Sequence, residues 1–298
     1  MRYALCIALL SACLGVAPGV RAENAAIDTV QSPAWVERDG NRLPARPGMA
    51  LQNRDRLVTG DDARAFVRLA DGSIVKLGSG ARTEFNALGQ RPDGVFGAAI
   101  DVVTGAFRLT TDAVRKLTGR RAVNVRVGTI TAGIRGTDIW GRSQATDDLI
   151  CLLEGRIVVS HPLAEPTELT EPLQFYAAAR GEAPGPVSLV PPDKIATWAA
   201  TTELLPATPA YAAGPWAVRL AGGVSEREAL SVYDRLGAAG YPARIVPRRG
   251  REGYRYEVLS GPLADEWNAQ AMAARLAAKL GIADAQAVRT QAALRGRQ

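Results

Sequence analysis

The sequence predicts two domains of different class. An all-β module, sandwich- or solenoid-like, is expected over residues 46–160, and an α+β module of ferredoxin/RNP-like order β-α-β-β-α-β over residues 214–292. Three observations carry this. Through residues 46–160 the apolar pattern has period two, with turn residues every eight to twelve positions. Beyond residue 214 the pattern becomes one of helices alternating with short strands. That second region also repeats itself, since V-R-L-A-G followed by a helix is matched by V-L-S-G-P followed by a helix.

The chain opens with a positive residue, Arg2, an apolar run from Tyr3 to Val16, and a small-x-small exit at Val20-Arg21-Ala22. This reads as a secretory signal peptide over residues 1–22. Leu10-Ser11-Ala12-Cys13 also resembles a lipoprotein box, so lipidation at Cys13 is the alternative processing. No later stretch approaches the ~18 consecutive apolar residues of a membrane span. An exported, periplasmic chain without a transmembrane helix after signal removal is expected.

In the β module, Phe66, Arg68 and Ala70 alternate with Ala65, Val67 and Leu69, and Asp71-Gly72 supplies a hairpin turn before Ile74. AIDVVTGAFRLTT and LICLLEGRIVVSH read as strand-glycine-strand pairs at Gly105 and Gly155. In GTITAGIRGTDIWGR (residues 128–142) the apolar residues change parity twice. The expectation is one strand bent by β-bulges at Gly128 and Gly136, with Arg135 and Asp138 bonding each other or exposed backbone at the bend.

Residues 161–213 are rich in Pro and Ala and read as a connection, with one helix near 193–205 and the boundary in PATPAYAAGP (206–215). After it, WAVRL is strand-like, and Ser225 with Glu228 forms a capping box. The helix so opened carries Ala229, Val232, Tyr233 and Leu236 on one face. YPARIV and YRYEVL follow as a hairpin across RRGREG. Asp265 caps a second helix with Ala269, Met272, Ala273, Leu276 and Leu280 on one stripe, and AQAVRT is a last strand. Two helices on one face of a four-stranded antiparallel sheet leave the other face open.

Composition narrows the chemistry. Residues 214–298 hold 13 Lys/Arg against 8 Asp/Glu, so the positive excess sits at the C-terminal end. With the leader removed, Cys151 is the one cysteine, read as a small core residue, and His161 is the one histidine, read as a surface residue. No catalytic triad, metal set or cofactor motif is expected from these. The acid pairs Asp61-Asp62 and Asp147-Asp148 read as solvated turn residues rather than a glycosidase pair. Gly78-Ser79-Gly80 and Gly133-Ile134-Arg135-Gly136 lack the lysine and strand-helix context of a phosphate loop. RNA binding is disfavoured, because Tyr254 and Tyr256 fall on the helix side of the sheet rather than its open face.

The run WAVRLAGGVSEREALSVYDRLGAAGYPARIV with YEVLSGPLADEWNAQAMAARLAAKLG resembles the SPOR domain. That resemblance implies a peptidoglycan-binding module preferring glycan strands stripped of stem peptides, found where amidases work at division sites. Alternation places Trp216, Val218 and Leu220, and Tyr256, Val258 and Ser260, toward the helices. Arg219, Arg255, Glu257 and Leu259 are left on the open face with Ala217 and Ala221, and Arg244 joins from the second strand. These are the candidate glycan contacts. Against the family pattern, Arg219 stands where glutamine is common, Glu257 where a basic residue is common and Arg255 where an aromatic is common.

The segments Leu57-Val58-Thr59-Gly60-Asp61, Ala70 to Leu77, Ile134 to Ile139, and Leu153 to Val159 resemble the FecR domain over about residues 46–160. Arg135, Gly136, Thr137 and Asp138 are its signature, read as structural rather than catalytic. The family's sensors carry a cytoplasmic anti-sigma region and a membrane helix ahead of this module. Here the leader directly precedes it, which argues against direct sigma-factor control. The expected function is a non-catalytic envelope protein that binds peptidoglycan and displays the first module to an envelope protein partner. Iron-siderophore signalling and, less favoured, wall-glycan hydrolysis are the alternatives.

Overall fold

The computed structural model describes residues 23–111, 121–134, 136–251 and 253–290. The expected leader over residues 1–22, and Arg135 of the FecR signature, lie outside the described residues. The first body contains β1 (Ala25–Gln31), β2 (Ala34–Arg38), β3 (Asn41–Pro44), β4 (Asp55–Thr59), β5 (Arg64–Leu69), β6 (Ile74–Leu77), β7 (Arg82–Gln90) and β8 (Phe96–Thr110). It continues through β9 (Arg121–Val127), β10 (Ile130–Ile134), β11 (Asp138–Ser143), β12 (Asp147–Glu154), β13 (Ile157–His161), β14 (Ala164–Leu169), β15 (Gln174–Ala179) and β16 (Ser188–Leu189). The second part holds α1 (Pro192–Ala200), β17 (Tyr211–Val224), α2 (Glu226–Ala238), β18 (Arg244–Gly250), β19 (Gly253–Leu263), α3 (Glu266–Leu280) and β20 (Gln286–Arg289).

Among the described residues the β body is a sandwich of two sheets. One runs β16-β15-β12-β11-β8-β6-β5-β1, and the other β3-β2-β4-β7-β8-β9-β10-β13-β14. Alternating side chains from both inner faces form one core, with Val67, Leu77, Phe107, Leu109 and Ile150 from the first sheet meeting Leu57, Phe85, Ile100, Val125 and Ile130 from the second. β8 belongs to both sheets. Its first part pairs β7 and β9, and from Gly105 onward it pairs β11, with β6 on its other edge. Gly105 is therefore a crease in one strand, not the hairpin turn its neighbourhood suggests. It sits at φ +90, and a Cβ there would lie 2.5 Å from Ala81 Cα. Only glycine combines that backbone with that approach.

The stretch 128–142 differs from expectation in the same way. Val127 pairs with Ile130, so Gly128-Thr129 is a two-residue hairpin turn between β9 and β10, not a bulge. A Cβ on Gly128 (φ +56) would overlap the Asp148 carboxylate beneath it. That carboxylate accepts the Thr129 N–H and hydroxyl, each at 2.9 Å, and the Ser143 hydroxyl at 2.8 Å, with Arg180 Nη2 at 3.0 Å. Asp148 is fully buried, so it is a structural anchor rather than a solvated turn residue. The second parity change, near Gly136, is where the chain leaves the β10 sheet for the β11 sheet. The sequence pattern records a change of sheet, which looks locally like a bulge. His161 is likewise buried, its Nδ1 accepting the Leu163 N–H at 3.2 Å, and is not a surface residue.

The boundaries move as well. β1 to β3 pair with β5 and β4, so the β body begins at Ala25 rather than residue 46. At the other end β14, β15 and β16 extend it into the stretch expected to be a connection. α1 then lies across the outer face of the first sheet. Trp198 stacks on Trp140 (ring centroids 4.8 Å apart) and meets the edge of Phe175. Beneath lie Leu149, Cys151 and Val190. Burial pushes the Cys151 thiol up to about 12, so it is protonated through neutral pH.

The expected linker is docked. The buried Gln31 amide donates to the Leu205 and Thr208 carbonyls at 3.0 and 2.8 Å and accepts the Leu205 N–H at 2.8 Å. Tyr211, the first residue of β17, pairs with Val30 of β1 and is fully buried, its hydroxyl 2.7 Å from Ser260 Oγ. The end of α2 closes the seam: Trp35 Nε1 donates to the Gly237 carbonyl and the Ala34 N–H to that of Gly240, both at 3.3 Å.

Two outcomes follow from this packing. Gly105→Ala is expected to lower unfolding stability by about 2–4 kcal/mol, from backbone strain plus overpacking. Gly94→Ala, at φ +75 with open space around it, should lose only about 1 kcal/mol; equal urea midpoints would contradict this account. In a chain with Cys6 and Cys13 replaced by serine, Cys151 should resist a thiol reagent at neutral pH until denaturant is added. Trp198→Ala should make it react faster in the native state, and an unchanged rate would mean α1 does not shield it.

Candidate functional site

The α+β part has the strand order β18-β19-β17-β20, all antiparallel. Its helices are placed by local signals. Ser225 accepts the Glu228 N–H while Glu228 reaches back to the Ser225 N–H at 2.9 Å, and Asp265 accepts the Asn268 N–H at 2.8 Å. Ala229 and Leu236 of α2, and Ala269, Met272, Ala273 and Leu276 of α3, are buried against Val218, Leu220 and Val258. Tyr233, read as part of the buried stripe, is 40% exposed, at the margin of that face. Both helices cover the same side of the sheet.

On the other side the register builds a row across all four strands. Arg244 pairs with Leu259, Leu259 with Arg219, and Arg219 with Gln286. Paired residues of a sheet share a face, and strands lie about 4.8 Å apart, so Arg244 and Arg219 stand roughly 10 Å apart on one surface. Arg255 pairs with Arg248 and Glu257 with Val246 on the same face. A bulge after Arg219 ends the regular ladder, and Gly222 and Gly223 follow.

The floor of this face is apolar and its rim cationic. Leu259 and Ala217 are 7% and 2% exposed, so they close the floor beneath the arginines and present little surface of their own. Arg244 and Arg255 are exposed and Arg219 is half-buried. Arg219 Nη2 donates to Gln286 Oε1 at 2.6 Å, and Arg248 Nε to Glu257 Oε2 at 2.8 Å. Glu257 is thus paired with a neighbouring arginine, which offsets its charge on this face. At the edge, the Ser225 hydroxyl and backbone N–H hold the Glu228 carboxylate below its usual range, with the Arg255 charge adding to the effect.

All five candidate contacts, Arg219, Arg244, Arg255, Glu257 and Leu259, fall on this one face. Gln286 was missed by sequence reasoning. The strand AQAVRT was visible, but only its register against β17 brings Gln286 beside Arg219. The FecR signature does not join them. Asp138 lies in the β body, where it accepts both Arg108 Nε at 3.0 Å and Nη2 at 2.7 Å. That pairing holds the Arg108 guanidinium above its ordinary pKa. Arg108 also reaches Glu203 at 3.2 Å, and Lys76 meets the same carboxylate at 2.7 Å. Asp138 therefore belongs to an ion-pair chain that fastens the segment after α1. Thr137 is fully buried and Gly136 sits at φ +70.

Comparison with known proteins fits this division. The FecR protein family matches residues 55–158 and the SPOR domain family matches residues 212–294. No curated protein matches the sequence. Two crystal structures of a candidate anti-sigma factor from Parabacteroides distasonis ATCC 8503 are similar at 12% identity and a TM-score of 0.39, over 76% of this chain and 92% and 91% of theirs. The chain carries an all-β FecR domain followed by an α+β SPOR domain.

Proposed function

We propose that this is a non-catalytic periplasmic protein that binds the glycan strands of peptidoglycan through the open sheet face of its SPOR domain, preferring strands stripped of stem peptides by amidases. The observation that carries this reading is the four-strand row Arg244–Leu259–Arg219–Gln286. Sugar rings need a flat apolar base and directional polar groups at its sides. Leu259 offers a narrow apolar strip between the arginines, and Ala217 closes the sheet beneath it. The guanidinium groups of Arg219, Arg244 and Arg255 offer paired N–H donors suited to lactyl carboxylates and ring hydroxyls. An extended strand can lie across a flat face only if bulky peptide branches do not hold it off, which gives a physical reason for the preference. Glu257, fixed by Arg248, adds an acceptor for a sugar hydroxyl or amide.

In this reading the SPOR domain places the FecR domain at the wall, where it meets an envelope protein partner. The FecR match favours a signalling role for that contact. Both families are of binding or signalling type, and the reading assigns the chain no catalytic residues and no cofactor.

Pelleting of the full chain with purified sacculi tests the proposal. Binding should rise when the sacculi are pretreated with amidase. Arg219→Ala and Arg255→Ala should each weaken it roughly tenfold, the scale of a charge-assisted hydrogen bond, without moving the thermal transition. Equal binding to treated and untreated sacculi would remove the denuded-strand preference. Unchanged binding by the variants would remove this surface, and release of soluble muropeptides would establish hydrolysis instead.

A further inference from the structure

The hairpin of β18 and β19 carries more charge than the open face uses. Residues 244–255 contain five arginines and one acidic residue. From Pro247 to Arg255 every described residue is exposed. Arg248 and Arg255 point to the open face. Arg249 pairs with Tyr254 on the opposite, helix side of the sheet, and Arg251 lies in the turn. Tyr254 is 63% exposed. Among the described residues neither helix buries Arg249 or Tyr254 on that side, although Tyr256 two residues further in packs against the core.

We propose that this hairpin end docks on an anionic phospholipid surface, separately from the glycan-binding face. The disposition of the groups argues for a lipid surface rather than a polymer. A chain lying in a groove meets one side of a sheet, whereas here guanidinium groups project from both sides of a narrow protruding hairpin and from its turn. Such a tip can surround itself with phosphate only by entering a headgroup layer. Guanidinium matches phosphate in bidentate geometry, and a tyrosine beside it has an apolar ring and a polar end, as the membrane interface requires. Each arginine near an anionic bilayer is worth roughly fivefold in binding, and salt screens the attraction.

The test is co-sedimentation of the full chain with vesicles of phosphatidylethanolamine and phosphatidylglycerol, against vesicles of phosphatidylcholine alone. Binding is expected to the anionic vesicles only and should fall as salt rises. The variant R249S/R251S, which leaves the glycan face untouched, should lose roughly 25-fold in vesicle affinity while pelleting with amidase-treated sacculi as before. R249K/R251K should keep most of the vesicle binding, since its charge is preserved. Failure of the native chain to bind anionic vesicles at low salt would overturn the proposal, as would full vesicle binding by the serine variant. Loss of sacculus binding in that variant would assign the hairpin to the glycan instead. Loss of sacculus binding by Arg219→Ala with vesicle binding intact would support two separate surfaces.

Discussion

The seam between the two domains decides what each can present. Tyr211 begins the SPOR sheet yet pairs with Val30 of the β sandwich, and it is buried there with its hydroxyl bonded to Ser260. Burial holds its phenol above the ordinary pKa, so the group stays neutral and serves as a hydrogen-bonding peg. Gln31 gathers three backbone groups of the preceding segment, and the C-terminal end of α2 rests on Trp35. A buried amide that lost those partners would leave polar groups unsatisfied, at about 1–3 kcal/mol each. The SPOR domain is therefore attached through its helix side. The opposite face of its sheet is left uncovered by the two helices.

The β sandwich depends on chain segments that change sheet. β8 contributes to both layers, bending at Gly105, and the chain crosses again between β10 and β11 and between β12 and β13. Each crossing binds the two layers covalently close to the core. Two buried acids of the sandwich find partners within the fold: Asp148 under the Gly128 hairpin, and Asp138 with Arg108 near the β10–β11 crossing. The ion-pair chain from Asp138 through Arg108 to Glu203 also reaches the segment that carries α1. Asp138 of the FecR signature thus contacts the ion-pair chain that fixes the inter-domain segment.

Much of the SPOR face was legible because short strands obey strict alternation. Arg219, Arg255, Glu257 and Leu259 were placed by parity alone, and capping residues located both helices. Gln286 was not, since parity says nothing about which residue on another strand lies opposite. The depth of Leu259 was also hidden, because its burial comes from neighbours on adjoining strands. In the β body the reading failed wherever a local pattern has two three-dimensional causes. A parity change is produced by a bulge, a hairpin or a change of sheet. Pro and Ala mark a free linker or a docked one. An acidic pair at a turn is solvated unless, as with Asp148, the turn folds over a serine, a threonine and an arginine.

By itself the sequence determined the classes of the two domains, their order along the chain, the boundaries of the two SPOR helices and the side of Arg219, Arg244, Arg255, Glu257 and Leu259. These depend on spacing, capping and turn chemistry, which act over a few residues. By contrast, α1 ends at Ala200 rather than near 205, and the bulge after Arg219 turns Ala221 from the expected open face to the helix side. Only the tertiary structure decided that the β body starts at Ala25, that the expected linker is fastened by Gln31, and that Asp148 and His161 are buried. It also decided which arginines share a row with Gln286. Those features arise from pairings between residues far apart in the chain, where register and solvent exclusion are set by the whole fold.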